Sequence, residues 1–264
     1  MTSARAIAAA QTIPIRGDVD ANLERHIRLI HAAAEQHVRV LVFPELSLTG
    51  YELDLADDLA FSERDPRLTP LIELASSCRM TLIVGAPVRI GASLHIGAFI
   101  VSTGGSVDLY TKHRLGAFPP DVSPDGIVPP REATVFHPGS LNPLLRFDGH
   151  TAAVAVCADI GRPSHPKEAA ERGARNYLAS MFVIPQDLGQ DTARLRTYAV
   201  QYSMTVVFAN YGGPSGGLAS AGRSAIWSEK GELLTRLDAN GTGIAVAIEG
   251  DTGWCARAIM LGGS

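Results

Sequence analysis

Apolar and polar positions along this chain switch between two periods, one suited to short buried strands and one to helices with a single apolar stripe. AIAAAQ, residues 6–11, reads as a strand. Asp20 can cap the helix after it, in which Leu23, Ile27, Ile30 and Ala34 fall on one face. VRVLVF is a buried strand, Pro66 to Cys78 a second helix, and MTLIVGAP a strand. LHIGAFIV and SVDLYT follow as strands joined by STGG, whose glycines suit a tight hairpin turn. Further on, TAAVAVC, NYLASMFV and TVVFAN read as strands, separated by helices from Pro166 to Gly173 and from Asp191 to Ser203. RSAIWSEKGELLTRL is a strand, a turn around Gly231 and a strand, and GIAVAIE closes the sheet.

This alternation predicts a layered α/β fold with mixed sheets inside and helices outside. No linker and no solenoid repeat interrupts it, so residues 1–264 are expected to form a single domain. Residues 112–150 break the pattern, holding Pro119, Pro120, Pro124, Pro129, Pro130 and Pro138. A loop that long inside a compact domain is usually functional, and Phe118 to Pro130 is expected to fold over a pocket.

Composition narrows the function classes. Apolar content of 46% with 19% charged residues is that of a globular protein. A net charge of −4 gives no electrostatic reason to expect nucleic acid or an anionic membrane as partner. Gln11 interrupts the early alanine run before a secretory leader would be complete, and no apolar stretch reaches the roughly 18 residues of a membrane span. Three widely spaced cysteines, Cys78, Cys157 and Cys255, fit a reducing compartment better than a disulfide framework or a zinc site, so a cytoplasmic location is expected.

Three reactive residues stand at strand ends, where open α/β folds place their ligands. Glu45 follows VRVLVFP, Lys112 follows SVDLYT and Cys157 follows TAAVAV. Together they supply a base, a cation and a nucleophile for acyl transfer. Lys112 and the amides opening the next helix are expected to lower the thiol pKa from about 8.5. Glu45 can take the thiol proton and pass it to the leaving amine. Lys112 and the backbone N–H of Ala158 can stabilise an oxyanion. Met181 and Phe182 end the following strand and either wall an acyl pocket or pack in the core.

VLVFPELSLTGYE, LYTKHRL and VAVCADIGRP, in this order, resemble the glutamate, lysine and cysteine motifs of the carbon–nitrogen hydrolase (nitrilase) superfamily. Gly173-Ala174, Gln11 with Asn22, Asn210 with Gly213, and GRSAIW agree more loosely, and the likeness covers nearly the whole chain. It implies an α-β-β-α sandwich and a Glu45-Lys112-Cys157 triad. It also implies hydrolysis through a thioester without metal or organic cofactor, in chains that usually pair as dimers. Glu132, Phe136 and Gly139 in REATVFHPG match the setting of a second family glutamate, which implies that Glu132 orients Lys112 or the attacking water.

The cysteine motif continues Arg162-Pro163-Ser164, where the family commonly has Phe-Pro-Glu. Cys-x-Asp resembles the amidase and carbamoylase branches, so a small amide or N-carbamoyl substrate that releases ammonia is expected. Nitrile hydrolysis is the second chemistry, and a catalytically silent binding subunit is the alternative from another class. A Cys-His reading with His113, His137, His150 or His165 as base lacks any local signature of the cysteine proteases. YGGPSGGLASAG lacks the Gly-Lys-Ser/Thr of a P-loop and is expected to be a loop beside the site or a dimer contact. Cys78 and Cys255 are expected to carry no role.

Overall fold

A computed structural model describes residues 5–123 and 126–262. The first half contains β1 (Arg5–Gln11), α1 (Val19–Glu35), β2 (Val40–Val42), α2 (Thr69–Ser77), β3 (Thr81–Ile90), β4 (Ser93–Val101) and β5 (Val107–Thr111). The second contains β6 (Leu144–Phe147), β7 (His150–Val156), α3 (Ser164–Glu171), β8 (Asn176–Ser180), α4 (Leu188–Tyr202), β9 (Thr205–Ala209), β10 (Ala225–Trp227) and β11 (Leu233–Arg236). β12 (Thr242–Gly250) and β13 (Gly253–Leu261) complete the chain.

The strands form a seven-stranded sheet, β13-β12-β1-β2-β3-β4-β5, and a six-stranded sheet, β11-β10-β9-β8-β7-β6. At the centre of each lie three parallel strands, β1-β2-β3 and β7-β8-β9, and the flanking pairs are antiparallel. A helix connects each successive parallel pair, α1 and α2 in one sheet and α3 and α4 in the other, because parallel neighbours need a crossover.

Side-chain alternation decides what each face meets. Ile7, Ala9, Val40, Val42 and Ile83 pack between the sheets against Val154, Val156, Leu178 and Val207. Their neighbours Ala8, Ala10, Leu41, Leu82 and Val84 point outward and are covered by Leu29, Ile30, Ala33, Leu71 and Ala75 of α1 and α2. Ala153, Ala155, Tyr177 and Ala179 are covered in the same way by Ala169, Leu195, Tyr198 and Ala199 of α3 and α4. The result is an α-β-β-α sandwich, and both faces of its central strands are buried, which is why those strands read as continuous apolar runs.

Some boundaries differ from the sequence reading. Asp18, not Asp20, caps α1, accepting from Ala21 N at 3.0 Å. The buried stripe of α1 is Asn22, His26, Leu29, Ile30 and Ala33, one residue round from the stripe expected through Leu23 and Ile27. Pro66–Leu68 is a 3-10 turn ahead of α2. β6 lies inside the proline-rich stretch. GIAVAIE does not end the sheet, since β13 adds an outer strand with an alternating half-exposed face. Among the described residues no helix is long and apolar enough to cross a membrane.

Candidate active site

The three strand-end residues meet where the sheets face each other. Glu45 lies just beyond β2, with its N–H on Met181 O at 3.4 Å and its carbonyl accepting the Tyr211 hydroxyl. Lys112 is the first residue past β5; its N–H donates to Ile96 O at 2.8 Å and its carbonyl accepts from Gly139 N at 2.8 Å. Cys157 is the first residue past β7 and opens a 3-10 turn, Cys157–Gly161. Its φ of 43° lies in the left-handed region, a conformation costing an L-residue about 1–2 kcal/mol.

Lys112 is wholly buried between two carboxylates. Its Nζ donates to Glu45 Oε1 at 2.6 Å and to Glu132 Oε1 at 2.7 Å. Glu132 Oε1 also accepts the Tyr51 hydroxyl at 2.6 Å, and its Oε2 accepts Gly116 N at 2.6 Å. Glu45 Oε2 is buried without a hydrogen-bond donor. An ammonium has three donors, so one Lys112 N–H remains after the two carboxylates.

The environments push the two carboxyls apart. Burial raises Glu45, Lys112 offsets part of this, and Glu132 adds repulsion, leaving its pKa at about 7. For Glu132 burial alone would raise the pKa, but Lys112, Tyr51 and Gly116 N–H together hold it below the ordinary range. Burial opposes the charge on Lys112, and the two glutamates overcome it, keeping the ammonium charged.

Cys157 is half-buried and its Sγ donates to Phe182 O at 3.5 Å. The expected lowering of its pKa is not what the surroundings produce. Burial and then the Glu45 charge push the thiol well up, and the attraction of Lys112 does not outweigh them. The resting group is therefore a thiol beside a carboxylate of raised basicity, an arrangement for concerted proton removal and not a stored thiolate.

Cys157, Glu132, Tyr51, Ala158 and Phe182 line a cleft of about 380 Å³, with Arg114 and the Asp191–Arg194 ion pair at its wall. Met181 does not reach the cleft, because it points into the core beneath α3 and α4. None of the four histidines is placed as a base for Cys157. His165 is buried between the hydroxyls of Tyr110 and Tyr177, His113 stacks on Tyr110, His137 is exposed and His150 opens β7. Cys78 is half-buried and Cys255 exposed on the outer strand. Ser215 of the glycine-rich loop accepts Tyr51 N at 2.8 Å, so that loop buttresses the site. Among the described residues no group of three or more His, Cys, Asp or Glu is arranged to hold a metal ion.

The sequence reading gave no role to Tyr51, although it ends the glutamate motif, nor to Asp159, the acid of Cys-x-Asp. Asp159 Oδ1 accepts His113 N at 3.1 Å and Arg114 N at 2.8 Å, and Oδ2 accepts Val156 N at 3.1 Å. One carboxylate thus ties the residues after Lys112 to the residue before Cys157.

The chain is similar to known proteins in sequence and in fold. In a solved structure, a glutamate-to-glutamine variant of the amidase from Nesterenkonia sp. AN1 shows covalent addition of the acetamide moiety of fluoroacetamide at its active-site cysteine. It superposes with a TM-score of 0.82 at 26% identity, covering 94% of this chain and 91% of that one. The glutamine-dependent NAD(+) synthetase of Acinetobacter baylyi is 25% identical over 233 residues, 86% of this chain and 41% of the synthetase. The chain therefore spans about two fifths of the length of that relative. A nitrilase of Pyrococcus abyssi is 24% identical over 87% of this chain and 83% of its own length. With the carbon–nitrogen hydrolase family model matching residues 6–248, the chain belongs to that family.

Proposed function

We propose that the chain hydrolyses a small amide to a carboxylic acid and ammonia through a thioester on Cys157. The observation that carries this reading is the buried Lys112 ammonium, held between Glu45 and Glu132 beside a half-buried thiol that opens into a cleft. Glu45 takes the Sγ proton as sulfur attacks the amide carbon. The oxyanion is met by the free Lys112 N–H and by the N–H of Ala158. As the C–N bond breaks, Glu45 passes its proton to the nitrogen and ammonia leaves. Water then attacks the thioester, giving a proton to Glu45, and the acid departs as that proton returns to sulfur. Glu132 stays ionised and holds Lys112.

The acetamide moiety carried by the cysteine of the Nesterenkonia amidase supports a nucleophilic cysteine in the family, and the glutamine dependence of the synthetase relative supports an amide as donor. An N-carbamoyl substrate follows the same steps. The nitrilase relative favours a second reading, nitrile hydrolysis, in which Cys157 attacks a nitrile carbon instead. The test is ammonia release from matched amides, N-carbamoyl compounds and nitriles, with intact-protein mass recorded during turnover. An acyl mass on Cys157 that Cys157→Ala cannot form supports the proposal. No ammonia and no adduct from any of the three series would overturn it.

A further inference from the structure

His165 is a buried titratable group that the hydrolytic steps leave unused, and its two contacts fix where its proton sits. Asp159 receives three backbone N–H groups, from Val156, His113 and Arg114, none of which can reverse direction. Its fourth contact is Tyr110 Oη at 2.7 Å, which donates to the same Oδ2 that takes Val156 N–H. The Tyr110 hydroxyl has spent its only proton there, so its 2.9 Å contact with His165 Nε2 must be donated by the imidazole. A neutral ring protonated on Nε2 has a bare Nδ1, which accepts the Tyr177 hydroxyl at 2.8 Å. The order runs one way: Tyr177 to His165 to Tyr110 to Asp159. Burial first, with His113 and Arg162 adding to it, keeps His165 neutral against the pull of Asp159 and Glu168.

This chain of bonds joins the two sheets. Tyr177 lies on β8 of the six-stranded sheet and Tyr110 on β5 of the seven-stranded sheet. His165 sits in α3 between them. Its end, Asp159, holds the N–H of Val156, the residue before the left-handed Cys157, and the N–H groups of the two residues that follow Lys112. Strained conformations at functional sites persist only where surrounding structure over-determines them. The Tyr198 hydroxyl, donating to Ile160 O at 2.7 Å, fixes the far side of the same turn.

We infer that His165 is a positioning residue: through Tyr110 and Asp159 it sets the placement of the Cys157 thiol relative to Lys112. The inference rests on Cys157 being the nucleophile of the proposed reaction, and its test therefore includes a measurement that does not need an amide.

The experiment compares the full chain with His165→Phe, which keeps a ring and removes both nitrogens, and His165→Gln, which supplies one donor and one acceptor. Two rates are read per folded molecule: kcat with KM on the best amide, and alkylation of Cys157 by iodoacetamide, followed by peptide mass. His165→Phe should lower kcat about tenfold with KM changed less than about twofold, and slow alkylation by a similar factor, with Gln restoring most of both. Parent rates per folded molecule in His165→Phe, or a loss per folded molecule that Gln does not restore, would overturn the inference. If His165→Phe does not fold, Tyr110→Phe breaks the same order one step nearer Asp159 and should slow alkylation likewise; a parent rate there also overturns it. Failure of every amide would remove the amide reading and leave the alkylation comparison to decide this one.

Discussion

Tyr51 Oη donates to Glu132 Oε1 at 2.6 Å, and that same oxygen takes the Lys112 ammonium at 2.7 Å. The tyrosine therefore helps to keep Glu132 ionised and, through it, Lys112 in place. It is itself held by Ser215, whose hydroxyl donates to Glu52 Oε1 at 3.2 Å while accepting Tyr51 N. Removing the hydroxyl costs the bond to a charged acceptor, about 1.5–3 kcal/mol by general experience. Tyr51→Phe is expected to lower kcat at least tenfold on the proposed reaction and to raise the Glu132 pKa. Near-parent kcat in this variant would mean that Glu132 holds Lys112 well enough without the tyrosine hydroxyl.

The pKa of Glu45, at about 7 with burial as the main cause, sets the acid limb of activity. The base must be ionised to take the Sγ proton, so kcat/KM is expected to rise with pH through a midpoint near 7 and to be lost below it. The stability sign is the reverse. A carboxyl whose folded pKa lies above its unfolded value favours the fold at low pH, and that favour is lost as pH rises from the ordinary carboxylate range through about 7. A profile of kcat/KM from pH 3.5 to 9 checks this, and a midpoint near 4.5, the ordinary carboxylate value, would show that burial does not raise the carboxyl that limits the reaction. Glu45→Gln should leave only residual turnover without a step near 7.

Local pattern points to Glu45, Lys112 and Cys157 because each stands at a strand end, and for Glu45 and Cys157 that strand is an apolar run buried on both faces. Their partners are distant in the chain. Tyr51 and Glu132 are 81 residues apart and Tyr110 and Asp159 are 49 apart, separations no periodicity can connect. The buried stripe of α1 departs from the apolar pattern for a related reason. Asn22 and His26 look like outward positions but are buried with their polar atoms satisfied, Asn22 by Ile15 and Leu48 backbone and His26 by Ser47 Oγ at 2.9 Å. β13 escaped because an outer strand with Arg257 and alternating exposure carries little apolar signal. The direction of the Cys157 pKa depends on how deeply Glu45 is buried beside it, which is a property of packing.

Gly139 has a packing reason that the motif alone did not give. A Cβ there would lie 2.1 Å from Thr111 Oγ1, 2.2 Å from Thr111 Cβ and 2.9 Å from its backbone carbon. Thr111 is joined to Lys112, whose carbonyl accepts Gly139 N at 2.8 Å. Gly139→Ala must therefore displace the end of β5 and carry the ammonium with it. Overpacking of this kind costs about 1–3 kcal/mol, and kcat is expected to fall tenfold or more. Urea unfolding and kcat check this together, with Gly104→Ala as the control, since its Cβ meets nothing nearer than 4.0 Å.

Phe118 begins the proline-rich segment expected to cover the pocket, of which Pro124 and Asp125 lie outside the described residues. Its ring meets Tyr51 edge-on at 5.7 Å and Phe182 edge-on at 5.5 Å, closing three aromatic rings over one side of the cleft. Val122 and Val128 pack inward from the same segment, and Gln186 Nε2 donates to Val122 O at 3.5 Å. Each aromatic pair contributes about 0.5–1.5 kcal/mol beyond buried area, so the ring defines part of the space left for an acyl group. Phe118→Ala widens that space and removes contacts that a short acyl chain needs more than a long one, which can fill the gap itself. The kcat/KM ratio of hexanamide to propionamide is therefore expected to rise about fivefold or more, with Tm nearly unchanged because Phe118 is only half-buried. A ratio equal to the parent's, measured on protein of parent stability, would show that this ring takes no part in choosing the substrate.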